Sequence, residues 1–186
     1  MRFAQYRRLD LIFLSVLALG AEGLGIWLHN KLPGAGYYLS FSSLIAIIAL
    51  LRWKSYGVVV NSFLALLTSL LSGAVTWQLI LFYLISNSTV LIVPKIFNKK
   101  DTSEIVSKSY YLLGYVVAFY GTVLVTRGLL GSLLHMTFYE TIMITLSQSL
   151  FSMLMSYFVL LLLKGRDGLL VNMMTYFINE QKEIDQ

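Results

Sequence analysis

The stretch Leu9–Leu28 constrains this chain most: it is an apolar run that carries a carboxylate, Glu22, among the small residues Gly20, Ala21, Gly23 and Gly25. A bilayer-crossing helix needs about 20 predominantly apolar residues. An ionised side chain within one must face protein or a water-filled cavity, because lipid offers it no partner. The helix is therefore predicted to turn one face inward. Ser15, Ala18, Glu22, Gly25 and His29 recur at spacings of three and four and share that face.

The remainder of the 186 residues fits the same solvent. Only 12% of residues are charged, 58% are hydrophobic and mean hydropathy is +0.75, whereas soluble domains carry roughly a quarter charged residues. The chain is predicted to be one all-α integral membrane domain over 1–186, a six-helix bundle with spans near 9–28, 37–51, 56–71, 74–93, 110–130 and 139–163. Residues 168–183 follow, with Leu169, Leu170, Met173, Met174, Phe177 and Ile178 at helical spacing, as an amphipathic interfacial helix. Arg2, Arg7 and Arg8 before an apolar run resemble a signal peptide, but the run continues past the small residues Ala18-Leu19-Gly20, so an uncleaved first span is expected.

Charge sets the orientation. With six spans, twelve of the fourteen Lys and Arg residues fall on one side, leaving Lys31 and Arg127 for the other. The positive-inside rule then places both termini in the cytoplasm. Merging spans two and three would put Arg52 and Lys54 inside the bilayer, at about 2.5–3.5 kcal/mol each near its centre. The net charge of +5 is spread over these loops and not gathered on one polar face, so no nucleic-acid partner is implied.

At this orientation, polar residues gather in the outer leaflet. Glu22 lies in the outer third of span one, Gln78 a turn below the outer end of span four, Arg127 near the outer end of span five and Glu140 just inside span six. His29, Tyr37, Tyr38, Trp77, His135 and Tyr139 form an outer rim. Two readings stand: Arg127 neutralised by Glu22 and Glu140 as a structural ion pair, or a binding pocket in which charges and aromatics converge. Asn61, Asn87 and Gln148 sit deeper and are expected to hydrogen-bond between helices. Ala18, Ala21 and Gly25 allow close helix approach, either within the bundle or onto a partner subunit. With no cysteine, no His-Glu-x-x-His run, no Gly-x-Ser-x-Gly elbow and no phosphate-binding glycine loop, neither an enzyme nor a metal or cofactor site is expected.

Several segments carry a resemblance: the loop Pro33-Gly34-Ala35-Gly36 after span one, the opening Leu39-Ser40-Phe41-Ser42, the turn Arg52-Trp53-Lys54-Ser55-Tyr56-Gly57, and the close Lys164-Gly165-Arg166-Asp167-Gly168-Leu169. With six spans in under 200 residues, the chain resembles the substrate-binding S components of energy-coupling factor (ECF) vitamin transporters. Where such proteins often carry Ala-x-x-x-Ala in span one, this chain has Ala18 and Glu22, with Ala21 and Gly25 the nearest equivalent. The resemblance implies a bacterial plasma-membrane protein that captures a vitamin or cofactor-like micronutrient at its outer face. It would work with a transmembrane coupling subunit and two cytoplasmic ATPase subunits. Glu22, Arg127 and Glu140 would bind polar groups, and Tyr37, Tyr38, Trp77 and Tyr139 would cover rings. The alternative is a scaffold similar to the MreD-like cell-shape proteins, which share the size and span number but need no ligand pocket.

Overall fold

The computed structural model describes residues 3–31, 40–71, 76–134, 136–166 and 168–184, and every regular element among them is helical. The long helices are α1 (Phe3–Lys31), α7 (Ser109–Leu133) and α8 (Phe138–Leu163). Between α1 and α7 lie α2 (Ser42–Trp53), α3 (Val58–Leu71), α4 (Trp77–Ser88), α5 (Ile92–Ile96) and α6 (Thr102–Ser107), and α9 (Met173–Ile184) closes the chain. Helices are the expected solution in lipid, since each satisfies its own backbone polar groups.

Five described stretches are long and apolar enough to cross a membrane: 3–28, 42–70, 77–96, 109–133 and 138–163. The second contains the expected spans two and three, and its backbone reverses in the middle. Lys54 takes φ 50 and ψ −128, a left-handed conformation that a lysine adopts only under constraint. A single turn of 3-10 helix, Lys54–Gly57, then folds the chain back. Gly57 comes so close to α2 that a β-carbon on it would lie 2.4 Å from the backbone carbonyl of Ala49. In a continuous helix those residues would be about 12 Å apart. The two arms, 12 and 14 residues long, rise about 18 and 21 Å.

Pro94 lies inside the third apolar stretch, two residues before its end. Its ring conflicts with the carbonyl four residues earlier. The chain answers by tightening to 3-10 geometry at Thr89–Leu91 before α5 resumes. The segment between α5 and α7, expected as a plain loop, contains α6. Asp101 starts that helix by accepting the Thr102 N–H at 2.8 Å, and Thr102, Ile105 and Val106 are buried.

Helix α2 is the centre of the molecule, with eight of its twelve residues buried. Ala46, Ile47, Leu50 and Leu51 pack towards Val90, Val93, Val116 and Leu160, while Ile45, Ala49 and Trp53 pack towards Leu14, Ala18, Val60 and Leu64 of α1 and α3. The C-terminal helix does not lie free on a surface: Met173 is buried in this second cluster, and the Phe177 ring meets Phe3 and Tyr6 edge-on at 5.5 and 5.0 Å. The periphery is apolar, with Phe13, Val16, Leu24, Leu129, Leu154 and Phe158 all exposed. Such a shell suits lipid.

The basic residues collect at one end. Arg7 stacks over Tyr56 at 3.9 Å, Arg52 donates to the carbonyls of Gly168 and Leu169, Lys100 and Lys108 flank Tyr111, and Lys164 reaches Ser109. This basic end is also tightly tied. Asp10 accepts from Arg52 Nε at 3.1 Å, from Arg52 Nη2 at 3.3 Å and from the Trp53 indole N–H.

Candidate functional site

The opposite half of the bundle is hollow. A cavity of about 390 Å³ lies between α1, α2, α3, α4, α7 and α8. Helix α1 contributes Glu22 and Ile26, so the carboxylate that the sequence places facing inward does so, with only 8% of its surface exposed. Glu22 accepts the Ser40 hydroxyl at 2.9 Å and also the Ser42 hydroxyl. Ser43 in turn donates to Ser40 at 3.0 Å, and the Ser40 N–H donates to Ser152 at 2.9 Å. Glu22 thus ends a chain of hydroxyls from the start of α2, and α8 is tied to the same point.

Arg127 enters the cavity from α7, its guanidinium 5.3 Å from the Tyr83 ring of α4. Its Nε is buried and has no acceptor among the described residues. A buried donor left unmade costs about 1–3 kcal/mol, so this N–H marks a place where an acceptor is worth having. The ion pairs of the described residues are Arg52–Asp10, Lys100–Glu104 and Lys108–Glu104. Glu22 and Arg127 share the cavity without forming one with each other.

Polar neutral groups complete the wall. Asn61, Thr68 and Ser69 come from α3, Asn87 from α4, Tyr120 from α7, and Thr145, Gln148, Ser149 and Ser152 from α8. Asn61 also donates to the Asn87 carbonyl at 2.8 Å and to its side-chain oxygen at 3.3 Å, the interhelical bond expected of it. The sequence contains a signal for the α8 wall. Thr141, Thr145, Ser149, Ser152 and Ser156 follow one another at spacings of four and three along an otherwise apolar helix, and a polar stripe on a lipid-embedded helix must face protein.

Other expected residues do not reach the cavity. Glu140 is exposed and bound to the start of its own helix: Thr137 donates its hydroxyl to the Glu140 carboxylate at 2.7 Å and accepts the Glu140 N–H at 3.2 Å. This corrects its expected role, and Thr137-x-x-Glu140 is the helix-start signature that accounts for it. Trp77 and Tyr139 are 67% and 69% exposed, and Gln78 is exposed beside Trp77. None of the three lines the cavity. The side chain of His29, and Tyr37, Tyr38 and His135, lie outside the described residues. Of the small residues considered for a partner surface, Ala18 and Gly25 are buried within the bundle and Ala21 is half-buried against the same cluster. The glycines on the open face of α1 are Gly20 and Gly23, with nothing within 4 Å of a would-be β-carbon.

The chemistry offered is that of a hydrogen-bonding pocket: one carboxylate, one guanidinium with a free N–H, amides and many hydroxyls. Compared with known protein families, curated proteins and solved structures, the chain matches none.

Proposed function

We propose that this protein is a membrane-embedded solute-binding subunit of the ECF S-component type, in a bacterial plasma membrane. On this reading the chain crosses six times, with the α2–α3 hairpin supplying two short crossings and both termini on the cytoplasmic side. It takes a compact micronutrient into the cavity from outside, and a coupling subunit with two ATPases drives its uptake. The observation that carries the reading is the polar cavity of about 390 Å³ in the half away from the basic end. A scaffold gains nothing from it, since buried polar groups cost stability unless they are satisfied.

The lining narrows the solute. Ligand pockets span about 300–1,000 Å³, and one near the lower end suits a small molecule better than a macrocycle such as cobalamin or haem. Arg127 calls for an anionic or strongly accepting group, and the serines and threonines call for a solute rich in hydrogen-bonding atoms. With Trp77 and Tyr139 turned away, ring stacking falls to Tyr83, Phe119 and Tyr120.

The test is mass spectrometry of small molecules retained by the purified protein, run beside Arg127→Ala. The expected result is one polar compound retained by the wild type and lost from the variant, with an unchanged melting profile. Retention of that compound by Arg127→Ala would overturn the assignment of the site.

A further inference from the structure

A second concavity, about 360 Å³, lies at the basic end between α6, the α8–α9 connection and the start of α9. Lys164 and Arg166 stand on its wall, with hydroxyls of Ser103, Ser107 and Thr175 around them. Lys164 spends one N–H on Ser109 at 3.2 Å, which leaves two. The groove's acid, Asp101, is engaged by its own turn, accepting from the Thr102 N–H at 2.8 Å and the Ser103 hydroxyl at 2.9 Å. The nearby Glu104 is held by Lys100 and Lys108. Asp167, between Arg166 and Gly168 in the sequence, lies outside the described residues.

Asn172 supplies a second and independent indication. It lines the groove and is only 4% exposed. Its Oδ1 accepts the Met174 N–H at 3.1 Å and so starts α9, while its Nδ2 has no acceptor among the described residues. Two cations and an unused buried amide donor together match a ligand with several anionic oxygens, which is the chemistry of a phosphate.

Position selects the source of that phosphate. The apolar run of α8 ends at Leu163, one residue before Lys164. Leu169 and Val171 are exposed apolar residues beside the groove, and Leu170 and Val106 form its floor. A group bound here sits where the apolar surface of the bundle gives way to charge, which is headgroup depth. We propose that this groove is a binding site for the phosphate headgroup of an anionic phospholipid in the leaflet at the basic end. The site is independent of the cavity and of its solute.

The test uses the full chain in detergent micelles doped with phosphatidylglycerol or with phosphatidylcholine, read by native mass spectrometry and by melting temperature. Phosphatidylglycerol is expected to stay bound and raise the melting temperature, with phosphatidylcholine doing neither. Lys164→Ala/Arg166→Ala should retain at least about tenfold less anionic lipid, since both charge-assisted hydrogen-bond donors of the groove are lost. Asn172→Asp keeps the oxygen that starts α9 but exchanges the free donor for a charge, and it should also lose the lipid. This second variant keeps the test decisive if the double variant folds poorly. Equal retention by wild type and folded variants would overturn the proposal. Equal protection by millimolar inorganic phosphate alone would overturn the lipid as its ligand.

Discussion

Helix α1 carries two acids twelve positions apart, Asp10 and Glu22, which stand in opposite halves of the bundle. Asp10 is met by a full charge and an indole N–H, both from the end of α2, and the Arg52 and Asp10 side chains are only 11% and 15% exposed. Glu22 is met by hydroxyls from the start of the same helix. Around Asp10 the structure is packed with Trp53, Leu14 and Val60, whereas around Glu22 it opens into a cavity. The contrast separates two uses of buried charge. A carboxylate bound by a fixed guanidinium fastens helices, while the serines that meet Glu22 can each donate or accept, and on the proposed reading they can exchange their bonds around a solute.

The contrast is broken most forcefully at the fastened end. Asp10→Ala leaves Arg52 half-buried without its counter-charge and the Trp53 N–H without an acceptor. Removing one member of a fully buried pair costs about 3–5 kcal/mol, and for this part-buried pair the lower end of that range is expected. Thermal or denaturant unfolding in micelles should show a loss of that order, against little change for Arg127→Ala, whose guanidinium makes no ion pair among the described residues. Comparable losses for the two variants would erase the distinction between the halves.

A smaller effect sharpens the role of the hairpin that joins them. Gly57→Ala drives a methyl group into the Ala49 backbone, which cannot swing aside as a side chain would. Overpacking of this kind costs about 1–3 kcal/mol. Gly20→Ala on the open face of α1 meets nothing and should gain up to about 1 kcal/mol from helix propensity. The same unfolding measurement checks both. A Gly57→Ala protein as stable as wild type would mean that the arms are not held in close contact there.

These features differ in how openly the sequence displays them. The inward turn of Glu22 and the reversal at Arg52–Lys54 follow from the cost of charge in lipid, which acts on single residues and is therefore readable residue by residue. The cavity wall is not of that kind. Serines and threonines on an apolar helix can bond to their own backbone, as Ser149 does to Thr145 and Thr68 to Leu64, so hydroxyl content alone does not announce a pocket. The periodic stripe from Thr141 to Ser156 does, once its spacing is weighed. Depth along a helix places Glu140 at the level of the cavity without fixing its direction, and the Thr137 hydroxyl holds it at the start of its own helix. Asp10 lies so near the start of the apolar run that its partner, 42 residues on, becomes visible only in three dimensions.

The smallest effect concerns a third acid, Glu104, which like Asp10 is ion-paired at the basic end but stands in solvent. Lys100 and Lys108 lie one helical turn to either side and donate to the same carboxylate oxygen at 3.0 and 3.1 Å. Their hydrogen bonds, that of Lys100 foremost, hold the Glu104 carboxyl below its ordinary 4.5. An acid whose folded value is depressed adds stability that is complete above its unfolded value and disappears as pH falls through the folded one. Lys100 is shifted upward, mainly by its bond to Tyr111 and then by Glu104, so its contribution is lost only at high pH. Hydrogen-exchange protection of the α6 amides should therefore be flat through neutral pH and decline on acidification below about 4.5. Glu104→Gln should flatten that acid limb without altering exchange in α1 or α2. An unchanged acid limb in the variant would show that exposed pairing at this end, unlike the buried clasp at Asp10, does nothing to hold its helix in place.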